Sequence, residues 1–252
     1  MLRTESNVAG NLARLTDSIA EAAIGAGRGP EEITLVGVSK TQPAEAVVEA
    51  IKAGVLHFGE NRVQEAAEKV PLVRQLLQAD PVLGPRFPSL ASAAVLHMVG
   101  YLQSNKAGAA VGLFDCVDSV DSVHLAQALS RRVLLESRAA LPVRLEVYVG
   151  DDPRRPGLRP AALADAAGEI LELPGLRVEG LMTVAPLGGD ARAAFAQVRA
   201  LREKLAEMFP RVHFGVLSMG MSEDYVLAIQ EGSTEIRIGT ALFGPRRNSP
   251  LR

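Results

Sequence analysis

Short apolar, β-branched runs recur along the chain and alternate with longer stretches whose apolar residues repeat at helical spacing. The runs read as strands over residues 34–39, 56–59, 96–100, 116–119, 143–149, 178–184, 214–219 and 235–238. Between them the spacing predicts helices over 44–53, 62–77, 123–136, 161–171, 191–208 and 223–230, with another over 7–23 ahead of the first strand. Strands separated by helices need crossover connections and so pair in parallel. Eight such units in about 210 residues is the size of a closed barrel. The expected fold class is therefore α/β, a single (β/α)8 TIM barrel spanning residues 1–252 with an extra N-terminal helix.

A doubly wound open sheet is the alternative on the same elements. No GxGxxG or GxxxxGKS/T turn follows any strand, which weakens its nucleotide-binding forms. No linker divides the chain. The proline-rich segments 80–92 and 151–160 read as loops before the third strand and after the fifth, and 245–252 reads as a frayed tail.

Charge and cysteine content narrow the function classes. With 27 basic and 29 acidic side chains and a net charge of -2, no global field draws nucleic acid or an anionic membrane. Cys116 is the only cysteine, so no internal disulfide or thiolate zinc cluster forms, which fits a reducing compartment. No stretch reaches the roughly 18 apolar residues of a membrane span, and the N-terminus lacks a signal-like apolar core. The expectation is a cytoplasmic protein with no nucleic-acid or membrane partner. His57, His97, His124 and His213 are scattered without metal-ligand spacing, and Cys116 lies in an apolar strand, so no metal is expected.

Barrel active sites lie at the carboxyl ends of the strands. Lys40 ends the first strand, Glu60-Asn61 the second, and Gln103 to Lys106 follow the third. Thr183 ends the sixth, Ser218-Met219-Gly220-Met221-Ser222 the seventh and Arg237 to Thr240 the eighth. Taken singly, each has an ordinary structural explanation: a solvated lysine, a helix cap, a turn. Taken together they describe a site. A primary amine at a strand end is suited to covalent chemistry with an aldehyde. The loops after strands seven and eight are a common barrel phosphate site, and their glycines and hydroxyls let an anion approach the main chain. Arg237 alternates with Ile236 and Ile238, so the arginine and the isoleucines point to opposite faces, and an inward guanidinium needs a partner. If that partner is a cofactor ring nitrogen, a permanent cation keeps the nitrogen unprotonated. Amine, phosphate cradle and arginine together describe pyridoxal phosphate (PLP).

Six motifs then carry a family resemblance. They are Val38-Ser39-Lys40, Phe58-Gly59-Glu60-Asn61-Arg62-Val63-Gln64-Glu65, the run from His97 to Lys106, Gly180-Leu181-Met182-Thr183, Leu217-Ser218-Met219-Gly220-Met221-Ser222 and the run from Glu235 to Gly244. In order and spacing, from about residue 7 to 246, the chain resembles the pyridoxal phosphate homeostasis proteins of the YggS/PROSC type. The resemblance implies a fold type III PLP-binding barrel like the N-terminal domain of alanine racemase. It implies that Lys40 carries PLP as a Schiff base (aldimine), that Asn61 lies against the ring and that Arg237 faces the pyridine nitrogen. It further implies that Ser218, Gly239 and Thr240 hold the phosphate, with Met219 and Met221 lining the site. The implied role is a monomeric carrier that keeps free PLP low and supplies apo-enzymes, without robust turnover.

Two rival classes stay open at this point. A PLP-dependent amino-acid racemase or decarboxylase is one; a racemase resembling this fold uses a tyrosine from a second domain, whereas this chain ends at residue 252 and has only Tyr101, Tyr148 and Tyr225. A pure interaction protein with a vestigial site is the other. The chain also departs from the family pattern: where an asparagine and a Lys-Ser-Gly are usual, it reads Glu146-Val-Tyr-Val149 and Arg154-Arg155-Pro156-Gly157. That leaves the role of this loop open.

Overall fold

The computed structural model describes residues 7–87 and 89–245. Eight parallel strands, β1 Thr34–Val38, β2 His57–Glu60, β3 Val95–Met98, β4 Cys116–Val120, β5 Leu141–Glu146, β6 Leu176–Met182, β7 Val216–Ser218 and β8 Glu235–Ile238, pair in sequence order. The barrel closes where β8 pairs with β1, Val36 lying opposite Arg237. Around it run α1 Val8–Gly25, α2 Ala44–Ala53, α3 Val63–Ala79, the short α4 Leu83–Arg86 and α5 Leu90–Ala93, then α6 Ala107–Leu113, α7 Val123–Leu135, α8 Leu163–Leu171, α9 Ala191–Met208, α10 Tyr225–Gln230 and α11 Thr240–Phe243. The expected (β/α)8 class holds, with strand bounds shifted by at most a few residues. The frayed tail falls, apart from residue 245, outside the described residues.

Two connections differ from the sequence expectation. Helix α6 reads only as Ala-Gly-Ala-Ala-Val-Gly-Leu, too small-residue-rich to show a period; it forms because Ala107, Ala110 and Val111, spaced for one face, are buried against the core. Segment 80–92, read as a loop, winds into α4 and α5. There the Asp80 carboxylate accepts from the N–H groups of Val82 and Leu83 at 3.0 and 2.9 Å, and Leu83 is buried.

The outward strand residues make the apolar layer under the helices. Ile236 and Ile238 pack in one cluster with Leu15, Ile19, Val47 and Ile51, while Val143, Leu145, Leu181 and Leu217 join Phe114, Leu129, Ile170 and Phe195 in another. That burial turns the alternate residues inward. Arg144, Glu146, Glu235 and Arg237 are therefore buried polar groups. Barrel interiors are usually filled by branched apolar side chains. This one instead carries an ion cluster. Asp118 Oδ2 meets His97 Nδ1 at 2.9 Å, Asp118 Oδ1 lies 3.2 Å from Arg144 Nη1, and Arg144 Nη2 reaches Glu235 Oε2 at 3.4 Å. Burial alone would lower the His97 pKa, but the Asp118 carboxylate overrides it and raises it. His57 stands 2.9 Å from His97 Nε2; burial and that neighbouring cation push its pKa down to about 4. Ligand atoms of His97, Cys116 and Asp118 all lie within 4.8 Å of one another, a grouping the sequence spacing does not reveal. His97 and Asp118 are already paired there, and the Arg144 cation beside them opposes a further positive charge.

Candidate cofactor site

A cavity of about 1030 Å³ opens at the carboxyl ends of the strands, within the size range of small-molecule sites. Six of the eight sequence-derived residues, Lys40, Asn61, Met221, Arg237, Gly239 and Thr240, line it.

Each is placed by an identifiable local cause. Beyond β1 the ladder continues one step, Ser39 N donating to Gly59 O at 3.0 Å, and the chain then kinks through Thr41 at φ 63°. A β-branched residue in this left-handed region is strained, and the kink immediately follows Lys40. Asn61 crosses directly over Gly100, where any Cβ would come within 2.4 Å of the Asn61 carbonyl oxygen; only glycine fits. Arg237 lies at the cavity floor, buried, with Nη1 donating to Ser218 Oγ and Nη2 to Thr183 O, both at 2.8 Å. Burial lowers its pKa, and the charges of Glu235, Asp118 and Glu146 offset that only in part. Gly220 sits at φ 97°, where a Cβ would meet the Ala228 Cβ at 2.6 Å, and its carbonyl accepts from Arg237 N at 2.9 Å.

The loops after β7 and β8 are tied together by Ala241 N donating to Ser222 Oγ at 3.3 Å. Met221 N is capped by the Asp224 carboxylate at 2.6 Å. Among the described residues, the backbone N–H groups of Ser222, Gly239 and Thr240 donate to no protein acceptor. Unspent donors at the mouth of a cavity are what a phosphate needs, so these residues fit the group the sequence implies.

Two of the expected contact residues lie away from the cavity wall. Met219 does not line the cavity: it is 0% exposed and belongs to the apolar core with Leu217 and Ala228, because it follows inward-facing Ser218 and therefore points outward. Ser218 is not at the wall either; it lies beneath, where its hydroxyl accepts from Arg237. Gln103 to Lys106 end in a short 3-10 turn and α6 outside the lining, whereas their neighbour Tyr101 is in it.

The family model for the N-terminal domain of alanine racemase matches residues 12–247. The pyridoxal phosphate homeostasis protein of Escherichia coli (strain K12) is 38% identical over 242 residues, covering 96% of this chain and 97% of that protein. The Pseudomonas aeruginosa protein of the same description is 40% identical over 244 residues, covering 96% of each. The chain belongs to the pyridoxal phosphate homeostasis protein family. Among solved structures, PipY of Synechococcus elongatus PCC7942 with PLP bound matches with a TM-score of 0.78 at 37% identity, covering 94% of this chain and all of that one. A Clostridium difficile 630 alanine racemase shares the fold, with a TM-score of 0.65 at 18% identity over 58% of its length.

Within this family member, several cavity residues carry no sequence motif of their own. Tyr148, Arg154 and Arg155 reach the cavity because segment 151–160 folds back on β5: Leu158 N donates to Glu146 O at 2.7 Å and Tyr148 N to Leu158 O at 3.1 Å. The Arg159 guanidinium stacks on the Tyr148 ring at 4.7 Å. Glu146 is only 9% exposed. Burial, then the Asp121 charge, push its carboxyl from 4.5 up to about 7 against Arg237 and Arg155. In the chain it is marked by its alternation with Arg144 and by the departure from the family pattern at Glu146-Val-Tyr-Val149.

A raised carboxyl pKa stabilises the fold below the unfolded-state value, and that contribution is lost as pH rises through the folded value. Between pH 4.5 and 7 Glu146 therefore withdraws up to about 3 kcal/mol from stability. Glu146→Gln is expected to match the parent near pH 4.5 and to exceed it above pH 7 by that amount in urea unfolding. Parallel stability curves for the two proteins would contradict this.

Proposed function

We propose that this chain binds PLP in the barrel-mouth cavity, covalently through Lys40, and serves as a holding and supply protein for the cofactor in the cytoplasm, working as a monomer and passing PLP to apo-enzymes. The observation carrying the reading is that Lys40, the Arg237 guanidinium and the unspent N–H groups of Ser222, Gly239 and Thr240 all border one cavity. The PLP-bound PipY relative supports it. Bound PLP supplies an aldehyde that an amine captures reversibly and a pyridine ring that acts as an electron sink. On this reading Lys40 provides the amine, Asn61 flanks the ring, Met221 walls the site, and Gly239, Thr240 and Ser222 hold the phosphate by their backbone donors. Ser218 acts through Arg237 and not on the ligand.

Arg237 favours holding over turnover. A guanidinium does not release its proton at physiological pH, so it faces the ring nitrogen only as a donor and leaves the ring a weak sink. One observation favours a slow activity of the racemase or decarboxylase class: Glu146, titrating near neutrality, shares the cavity.

The test is an absorption spectrum of the purified chain with added PLP, before and after borohydride, followed by peptide mapping. A reducible band mapped to Lys40, with no interconversion or decarboxylation of added amino acids, is expected. Absence of any band would discard the reading in favour of an interaction protein.

A further inference from the structure

Lys69, in the second turn of α3, is 8% exposed, and lysines are almost never buried without partners. An ammonium has three N–H donors, and all three are spent: on Ser39 O at 2.7 Å, Glu60 Oε1 at 2.7 Å and Glu65 Oε1 at 2.9 Å. The same two carboxylate oxygens reach the chain on either side of Lys40. Glu60 Oε1 accepts from Ser39 Oγ at 2.7 Å, and Glu65 Oε1 accepts from Thr41 N at 2.5 Å. From one buried ammonium, two arms therefore run to residues 39 and 41.

We infer that Lys69, with Glu60 and Glu65, is a positioning clamp that fixes the backbone around Lys40 and so aims its amine into the cavity. The inference rests on the reading of Lys40 as the cofactor lysine. Thr41 is one of two non-glycine residues with positive φ among those described, and such a conformation persists only where its surroundings over-determine it. The Glu65 arm supplies that determination at the Thr41 amide. Val63, Ala66, Val73 and Leu77 already seat α3 on the barrel by apolar packing, so seating alone does not require a buried ammonium. Here the charge is directed at the main chain of the two residues flanking the amine.

Lys69→Met leaves the buried Glu60 carboxylate without its cation and risks the fold, so the decisive variant is Glu65→Ala, whose carboxylate is partly exposed and which leaves Lys69 paired with Glu60. The experiment adds PLP to the full chain and measures the rate of borohydride-fixable adduct formation at Lys40, with circular dichroism and thermal melting as the check on folding. Glu65→Ala is expected to fold and to form the adduct about tenfold more slowly, since a small misplacement of a reacting group is costly. Thr41→Gly added to Glu65→Ala should restore the rate to within about twofold of the parent, because glycine holds the left-handed conformation without the clamp. Rescue by relaxing the kink would not follow from a merely structural role. A parental rate in folded Glu65→Ala, or failure of Thr41→Gly to rescue it, overturns the clamp alone. A parent chain that forms no adduct overturns the Lys40 reading and the clamp with it.

Discussion

Lys40→Ala is expected to abolish the covalent adduct with PLP completely while leaving the fold intact. The side chain lines an open cavity and is not part of the core, so truncation leaves no buried void. On the proposed reading the phosphate and ring contacts from Gly239, Thr240, Ser222 and Arg237 survive, so PLP should still bind, reversibly, and wash out on dialysis. Borohydride should then fix nothing. A reducible band of undiminished size in the variant would move the chemistry to another lysine and remove the basis of the proposed function.

Arg237→Ala is expected to produce the other large effect, on retention and stability together. The guanidinium bridges Thr183 O and Ser218 Oγ and is a second interior cation, beside Arg144, in the field of Glu235, Asp118 and Glu146. Deleting it leaves the buried Thr183 carbonyl and Ser218 hydroxyl without that donor, at a cost of about 1–3 kcal/mol for each group left unsatisfied. Loss of a charge-assisted hydrogen bond to the ligand costs about 2–3 kcal/mol, roughly 30- to 150-fold in affinity. Arg237→Lys keeps the charge and loses the fork, so it should recover most of the stability and only part of the affinity. Dialysis retention, the adduct spectrum and urea unfolding measure these separately. An unchanged spectrum and affinity in Arg237→Ala would remove the ring-facing role.

The two predictions differ in how far their residues could be read from the chain. Lys40 stands out by punctuation alone: an apolar β-branched run that stops at an amine. Arg237 did not reveal its direction, because alternation with Ile236 and Ile238 is symmetric between inside and outside. The packing of both isoleucines under the helices broke that symmetry. The same rule, applied one residue past β7, placed Met219 in the core and left Ser218 beneath the cavity.

By itself, then, the sequence determined the count and order of the eight strands, the parallel sheet they require, and the strand ends at which chemistry collects. These are properties of neighbouring residues, written in hydrophobic period and turn chemistry. Only the tertiary structure decided which face of each strand turns inward, that α6 forms from a run of small residues, and that Glu146, Tyr101 and Tyr148 share the cavity. It also decided that His97, Asp118, Arg144 and Glu235 make one buried ion cluster, in which Arg144 and Glu235 lie 91 residues apart in the chain. Such groups meet through closure and register of the barrel, and no local periodicity records a contact between residues so far apart.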